Sequence, residues 1–303
     1  MNILKKLYRG LSPNPLDQLI KQAVKKKYTR FLLAWNRGLG DIPLGLYAVK
    51  KRILDNIPDA QITFLTREDL KEGFDLLGDI EVITTDWQRD KPYHILETLK
   101  KHNMKSKKFD VIIKWPDPTY WVKWQIGNLT PRLKWQNSFD ELYKKYDLQE
   151  DQKYLGVQPL AETNHGIYRN WSTERWAELF CKLKEKNTKV LLFGYKKEPY
   201  FNDDNIIDLR GETTLLDLLS IIKNKCFGLV LPDSGILSIV YYLDVDFPLN
   251  LISLWADPNQ GVLKQNVSSP NKSLKHTFFV GKNKNLQNIE VENILKVLFE
   301  DER

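Results

Sequence analysis

The chain has 303 residues, 42% of them apolar and 28% charged, which is room for two ordinary domains and the balance of a folded globular protein rather than a disordered one. No apolar run approaches the ~20 residues of a membrane-spanning helix, and the N-terminal MNILKKLYRGLSPNPLDQ lacks the apolar core and cleavage site of a secretory signal. The net charge of +7 sits in the first half: residues 1–150 hold 27 basic and 19 acidic side chains, the remainder 19 and 20, which points to an anionic partner there.

In chain order, residues 1–27 form a basic N-terminal extension. ILKKLYRGL and LDQLIKQAVKKKY read as short amphipathic helices around a Ser-Pro-Asn-Pro break, with Leu16, Leu19, Ile20, Ala23 and Val24 at helical spacing. Such a helix either packs on the outside of a domain or touches an anionic membrane surface. From residue 28 strand and helix alternate. FLLAW, QITFLT, EVITT and FDVIIKW read as strands; LGLYAVKKRILDNI, EDLKEGFDLL and PYHILETLKKHNM read as helices. WPDPTYWVKWQIGNLTPRLKWQNS then breaks the rhythm, and SFDELYKKYDL resumes a helix.

A second alternation begins at KYLGVQP. The polar loop LAETNHGIYRNWS precedes the helix TERWAELFCKLKEK; KVLLFG, IIDLRG, FGLVLPD, LNLISLW and HTFFVG read as strands, and NIEVENILKVLFEDE closes as a helix. The expected architecture is α/β: two doubly wound domains, 28–150 and 151–303, with ligands at the carboxyl ends of the strands and between the domains. Cys181 and Cys226 are isolated, and His94, His102, His165 and His276 are scattered without ligand spacing, so neither a disulfide framework nor a metal site is expected. Cytoplasmic residence is the expectation, from the missing signal pattern and from two isolated thiols that suit a reducing compartment.

Four stretches carry candidate chemistry. NRGLGDIP links the first strand to its helix: Gly38 and Gly40 imitate half of a dinucleotide fingerprint, but Pro43 stands where its third glycine would be, and Gly45 comes late. Asp41 there would repel a pyrophosphate; it is either a helix cap or a general base on a rigid turn. In LVLPDSGILSIV, Ser234 and Gly235 open a helix as an anion-binding end, with Asp233 as cap or loop holder. In IYRNWSTERWAEL, Arg169 precedes a helix capped by Ser172 and offers a planar fork to a phosphate, while Trp171 and Trp176 read as core. Glu198, after the strand of FGYKKEP, could accept ribose hydroxyls.

Taken in order, these stretches resemble glycosyltransferase family 9, the heptosyltransferases of lipopolysaccharide inner-core assembly. NRGLGD matches the family's R-x-x-GD after the first strand, with Arg37 and Asp41; RNWSTERW matches K-x-W with Arg169 for the lysine; LLFGYKKE, RGETTLLDLLSIIKNK, DSGILS and LISLWADPNQ match later segments. Two departures stand out: Arg169, and Ser238 in place of the histidine of D-[ST]-G-x-x-H. The resemblance implies a GT-B fold, two Rossmann-like doubly wound domains facing across a cleft, and inverting, metal-independent transfer of a sugar, heptose by analogy, from a nucleotide-sugar, ADP-linked by analogy, with no other cofactor.

On that reading Asp41 takes the acceptor proton. Arg169, Ser234 and Gly235 hold the donor diphosphate. Glu198, Arg210, Gly211 and Asp233 line the nucleotide. Arg37, Lys123, Arg132 and Lys134, among Trp115, Trp121, Trp124 and Trp135, meet an acidic glycolipid acceptor such as a Kdo-bearing lipid A precursor, with peripheral membrane contact through the basic leader. The competing readings are an inactive or repurposed homologue, because of Ser238, and a nicotinamide-dependent oxidoreductase using the Gly38–Gly40 turn. Nucleic-acid binding ranks last, because no motif for it is present.

Overall fold

The computed structural model describes residues 14–161 and 167–299. The ILKKLYRGL part of the leader, residues 162–166 of the polar loop with His165, and residues 300–303 of the closing helix lie outside the described residues. The chain divides into two compact units, Met1–Leu129 and Thr130–Arg303.

The first unit is built on a parallel sheet of β1 (Arg30–Trp35), β2 (Gln61–Arg67), β3 (Glu81–Thr85) and β4 (Val111–Ile113), in the order β3-β2-β1-β4. Phe31 to Trp35 are buried without interruption, the pattern of a central parallel strand covered on both faces. The leader helix α1 (Pro15–Lys26) is capped by Asn14, whose side chain accepts from the Leu16 N–H at 2.9 Å and donates to the Trp121 carbonyl at 2.6 Å. Leu16, Ile20 and Ala23 are buried, and Asp17 pairs with Arg52 at 3.0 Å. Val24, one of the apolar stripe, is instead 52% exposed beside Lys21, Lys25 and Lys26.

After β1 the chain does not enter an α-helix directly. Ile42–Leu46 forms a π-helical turn that runs into α2 (Tyr47–Asn56). Gly45 on this turn has no room for a side chain, because a Cβ there would stand 2.3 Å from the Pro118 Cβ and 2.7 Å from its carbonyl oxygen. Gln125, buried, donates from Nε2 to the Leu44 carbonyl on the same turn. Gly45→Ala is therefore expected to cost about 1–3 kcal/mol of stability, the usual penalty of overpacking; urea denaturation measures it, and an unchanged midpoint would mean the Pro118 segment yields freely.

The second unit carries a six-stranded parallel sheet: β6 (Tyr154–Val157), β7 (Val190–Leu192), β8 (Ile206–Asp208), β9 (Cys226–Pro232), β11 (Leu249–Trp255) and β12 (Leu274–Val280), in the order β12-β11-β9-β6-β7-β8. The order reverses between β6 and β9, which is where an open α/β sheet opens its ligand crevice. Trp171 and Trp176, read from the sequence as core, meet edge to face at 5.0 Å inside the core of this unit.

Residues 130–150 pack here and not with the first sheet. β5 (Leu133–Lys134) pairs with β10 (Leu243–Asp244), and the Tyr143 N–H donates to the Ser220 hydroxyl at 3.1 Å. The stretch SFDELYKKYDL is a 3-10 helix over Asn137–Lys145 rather than an α-helix. The compact-unit boundary at 129/130 thus lies some way before the 150/151 division read from the strand-helix rhythm.

Candidate functional site

In the first unit the chain leaves β1 at Asn36, a buried side chain whose Nδ2 donates to the carbonyls of Gln88 at 3.0 Å and Lys91 at 2.8 Å. The Asp90 N–H returns a bond to the Asn36 carbonyl. These bonds fasten the Asn36–Asp41 turn to the segment that follows β3. Within the turn the Asp41 N–H donates to Gly38 and the Ile42 N–H to Leu39, so both amides are used by the backbone itself. A phosphate cradle needs such amides turned outward.

Asp41 heads the π-helical turn and makes no side-chain capping bond. Its carboxyl is partly exposed, yet burial pushes it up to about 6, against the pull of a Gly38 backbone hydrogen bond and the charges of Arg37 and Arg89; Asp90 adds to the rise. Gly38 lies close beneath the carboxyl: a Cβ there would stand 3.2 Å from the Asp41 Oδ2, so the side chain would have to shift slightly. Arg37 and Arg89 approach opposite oxygens of Asp90 at 3.8 and 3.5 Å. The result is a carboxylate at the carboxyl end of a strand, ionised at neutral pH and still basic enough to accept a proton.

In the second unit a side-chain hydrogen bond crosses the switch point between β6 and β9: the Ser234 hydroxyl donates to the Gln158 Oε1 at 3.0 Å. Gln158 is the first residue beyond β6, buried, with its Nε2 on the Leu160 carbonyl at 2.9 Å. Ser234 also caps the helix Gly235–Tyr241 by accepting from the Leu237 N–H at 3.2 Å. Arg169 reaches in from the short 3-10 turn Ile167–Arg169 and holds Asp233 and Gln260 through Nη2. Both ion-pair partners are well covered, their side chains 16% and 9% exposed. Burial raises the Asp233 carboxyl to about 6; Arg169 opposes the rise and Asp257 adds to it. Arg169, Asp233 and Ser234 are thus brought together, with Gln158 and Gln260 completing the group.

Ser238 is buried on the same helix, its hydroxyl donating to the Ser234 carbonyl at 3.3 Å. At the carboxyl ends of β7 and β8, Glu198 is exposed and precedes Pro199, whose carbonyl accepts from the Arg210 Nη1 at 2.7 Å. Arg210 is fully buried and forks onto Asp208 at 2.8 and 2.7 Å. The Gly211 N–H donates to the Gly194 carbonyl at 2.8 Å, and Gly211 needs its freedom at φ +75°. Arg210 and Gly211 therefore fix the shape of the loop that presents Glu198.

The four basic candidates for the acceptor fall in different places. Arg37 and Lys123 lie in the first unit, Lys123 over the Tyr120 ring at 5.0 Å. Arg132 and Lys134 lie in the second, Arg132 paired with Asp244 at 2.7 Å and Lys134 on β5. Gln158, Gln260, Arg89 and Asp90 were not singled out by sequence; their only signal is position, in the segments that follow β6, β11 and β3. Among the described residues no three His, Cys, Asp or Glu side chains gather as a metal site, and no helix is long and apolar enough to cross a membrane.

The two parallel α/β units have the fold of the GT-B class of glycosyltransferases, as their likeness to solved structures shows. Residues 124–245 match the model of glycosyltransferase family 9 (heptosyltransferase), and the resemblance read from the order of the motifs is thereby found again in an independent comparison. The enzyme class is glycosyltransferase. The fold is similar to that of an E. coli ADP-heptose lps heptosyltransferase II, at 16% identity and TM-score 0.63, over 91% of this chain and 100% of that one. It is also similar to a family 9 glycosyl transferase from Veillonella parvula, at 15% identity and TM-score 0.59, over 90% and 98%. A third match is the dodecameric, iron-containing glycosyltransferase TibC of enterotoxigenic E. coli, at 12% identity and TM-score 0.55, over 90% of this chain and 76% of that one. No curated protein sequence matches.

Proposed function

We propose that the protein transfers a sugar from a nucleotide-sugar to a lipopolysaccharide-core-type acceptor, with inversion and without a metal. The observation that carries the reading is the Arg169–Asp233–Ser234 group at the switch point of the second sheet, inside the segment matched by the family model. The first unit supplies Asp41, which takes the proton of the acceptor hydroxyl as its oxygen attacks the anomeric carbon. The bond to the diphosphate breaks on the opposite face, which inverts the centre. Arg169 receives the charge that develops on the leaving diphosphate, with the Ser234–Gly235 turn beside it.

Glu198 holds the ribose in this proposal, on the loop that Arg210 and Gly211 shape. ADP is the expected nucleotide and heptose the expected sugar, since one similar structure is an ADP-heptose enzyme. TibC is iron-containing; here a guanidinium is proposed to supply the positive charge, so turnover is expected to persist in EDTA. The exposed face of α1, with Lys21, Lys25, Lys26 and Val24, is proposed to rest on an anionic membrane that carries the acceptor.

Nucleotide-sugars test the reading directly. At a hundredfold excess over Kd a ligand adds about 2.7 kcal/mol, so an ADP-linked sugar is expected to raise the melting temperature by several degrees. Were no nucleotide-sugar to stabilise the protein, and NAD(H) to do so, the oxidoreductase reading would replace this one.

A further inference from the structure

The first sheet, too, has a switch point, between β1 and β4. Asp41 lies on the turn after β1. The residue that β4 delivers to the same end is Trp115, 53% exposed. A lone exposed apolar side chain is ordinary, but this one is built. The Trp115 ring lies 4.3 Å from Tyr93, and Tyr93 stacks on Trp87 at 4.0 Å and 22°.

The rings behind it are fixed. The Tyr93 hydroxyl donates to the carbonyls of Lys114 at 2.5 Å and Ala34 at 3.4 Å, and the Trp87 Nε1 donates to the Thr98 hydroxyl at 3.1 Å. Trp87 and Tyr93 pack on the core of Leu32, Ala34 and Ile95.

Two connections tie this ladder to Asp41. The Trp87–Tyr93 segment is the one laced to Asn36, and its Arg89 and Asp90 act on the Asp41 carboxyl. Pro118, three residues beyond Trp115, abuts Gly45 on the turn that Asp41 heads. The segments that frame the indole are polar, with Lys114 and Arg89 exposed. An aromatic face of one ring's width, held rigid among polar groups, fits the C–H face of a single sugar ring better than a bilayer, which rewards a broader apolar area.

We propose that Trp115, backed by Tyr93 and Trp87, is the platform on which a sugar ring of the acceptor stacks while its hydroxyl meets Asp41. This rests on the transferase reading above and adds to it a residue that selects the acceptor. The Trp115→Leu variant keeps apolar bulk and removes the π face; Trp115→Phe keeps a smaller face. With a delipidated Kdo-bearing core oligosaccharide as probe, the Leu variant is expected to raise the acceptor KM and the calorimetric Kd on the order of tenfold, the upper range of an aromatic contact. Its kcat and its stabilisation by nucleotide-sugar stay at wild-type values, and the Phe variant recovers most of the loss.

Equal oligosaccharide binding by wild type and the Leu variant would overturn the platform. So would a defect confined to lipid-bearing acceptor and matched by weaker binding to phosphatidylglycerol vesicles, which assigns Trp115 to the membrane. A wild-type chain that nucleotide-sugars stabilise but that binds no oligosaccharide also overturns it, and leaves the donor reading standing. Failure of every nucleotide-sugar to stabilise the wild type removes the transferase reading instead, whatever the Leu variant does.

Discussion

Asp41→Asn is expected to lower kcat by two to four orders of magnitude, about the range attributed to a positioned general base, while the nucleotide-sugar still stabilises the variant. The substitution preserves shape, and the amide oxygen can still accept the Gly38 backbone bond that the carboxylate holds. Only the basicity is lost. In the wild type kcat/KM should climb with pH and level off above about 6, the value to which burial raises the carboxyl. Below that pH the group carries a proton and cannot take another.

Stability runs the other way. A carboxyl whose folded value lies above its ordinary 3.8 favours the fold most below about 4, and that contribution fades as pH rises through about 6. At pH 7.5 the Asn variant should therefore melt no lower than wild type. A capping carboxylate would behave differently, since its removal costs stability, and Asp41 makes no such bond. Turnover by the Asn variant above about a tenth of wild type would rule out Asp41 as the base, and a flat pH profile between 5 and 7 would count against it independently.

The strands were legible because buried parallel strands are continuous apolar runs, and FLLAW, LVLP and LISLW are such runs. What escaped was information carried by distant contacts. Nothing local in IPLGL announces a π-helical turn, nor that Pro118, more than seventy residues on, lies where Gly45 would carry a Cβ. Nothing in PRLKWQNSFDELYKK says that it joins the second unit, because the partners that decide it are Leu243 and Ser220.

The site divides along the same line. Asp41, Arg169, Asp233 and Ser234 were legible as charged or hydroxyl groups at the ends of apolar runs. Gln158 and Gln260 were not, since a neutral amide at a strand end resembles any loop residue until Ser234 and Arg169 are seen to hold it. Arg210 had been read from its place in the order of motifs as lining the nucleotide. In the fold it is a buried clamp on Asp208 and Pro199, so what it contributes to a ligand passes through the loop it holds. Ser238 likewise spends its hydroxyl inside its own helix. The position where the resemblance expects a histidine is therefore closed here, and under the proposed transferase function the diphosphate would depend the more on Arg169.

That dependence sets the second large effect. Arg169→Ala is expected to reduce kcat/KM by about 10²–10³, the loss typical of removing one donor to a developing anion, and to abolish stabilisation by nucleotide-sugar. Arg169→Lys should fall between, because it keeps the charge but not the fork. A guanidinium has five donors, so it can keep Asp233 and Gln260 on Nη2 and turn the rest of its fork to a diphosphate. Loss of activity alone would not prove that role, since the Ala variant also strands the covered Asp233 carboxylate, and an unpaired buried charge destabilises strongly.

The Asp233 carboxyl already stands at about 6 with Arg169 opposing the rise. Without Arg169 it should move higher, and the variant should lose stability as pH rises through and beyond that value. The double variant Arg169→Ala/Asp233→Asn separates the two roles. With no charge left to strand, it should regain the wild-type melting temperature at pH 7.5 and still show no stabilisation by nucleotide-sugar. If it instead recovered donor binding along with stability, Arg169 would be a partner for Asp233 and nothing more, and the diphosphate would have to be held elsewhere on the second sheet.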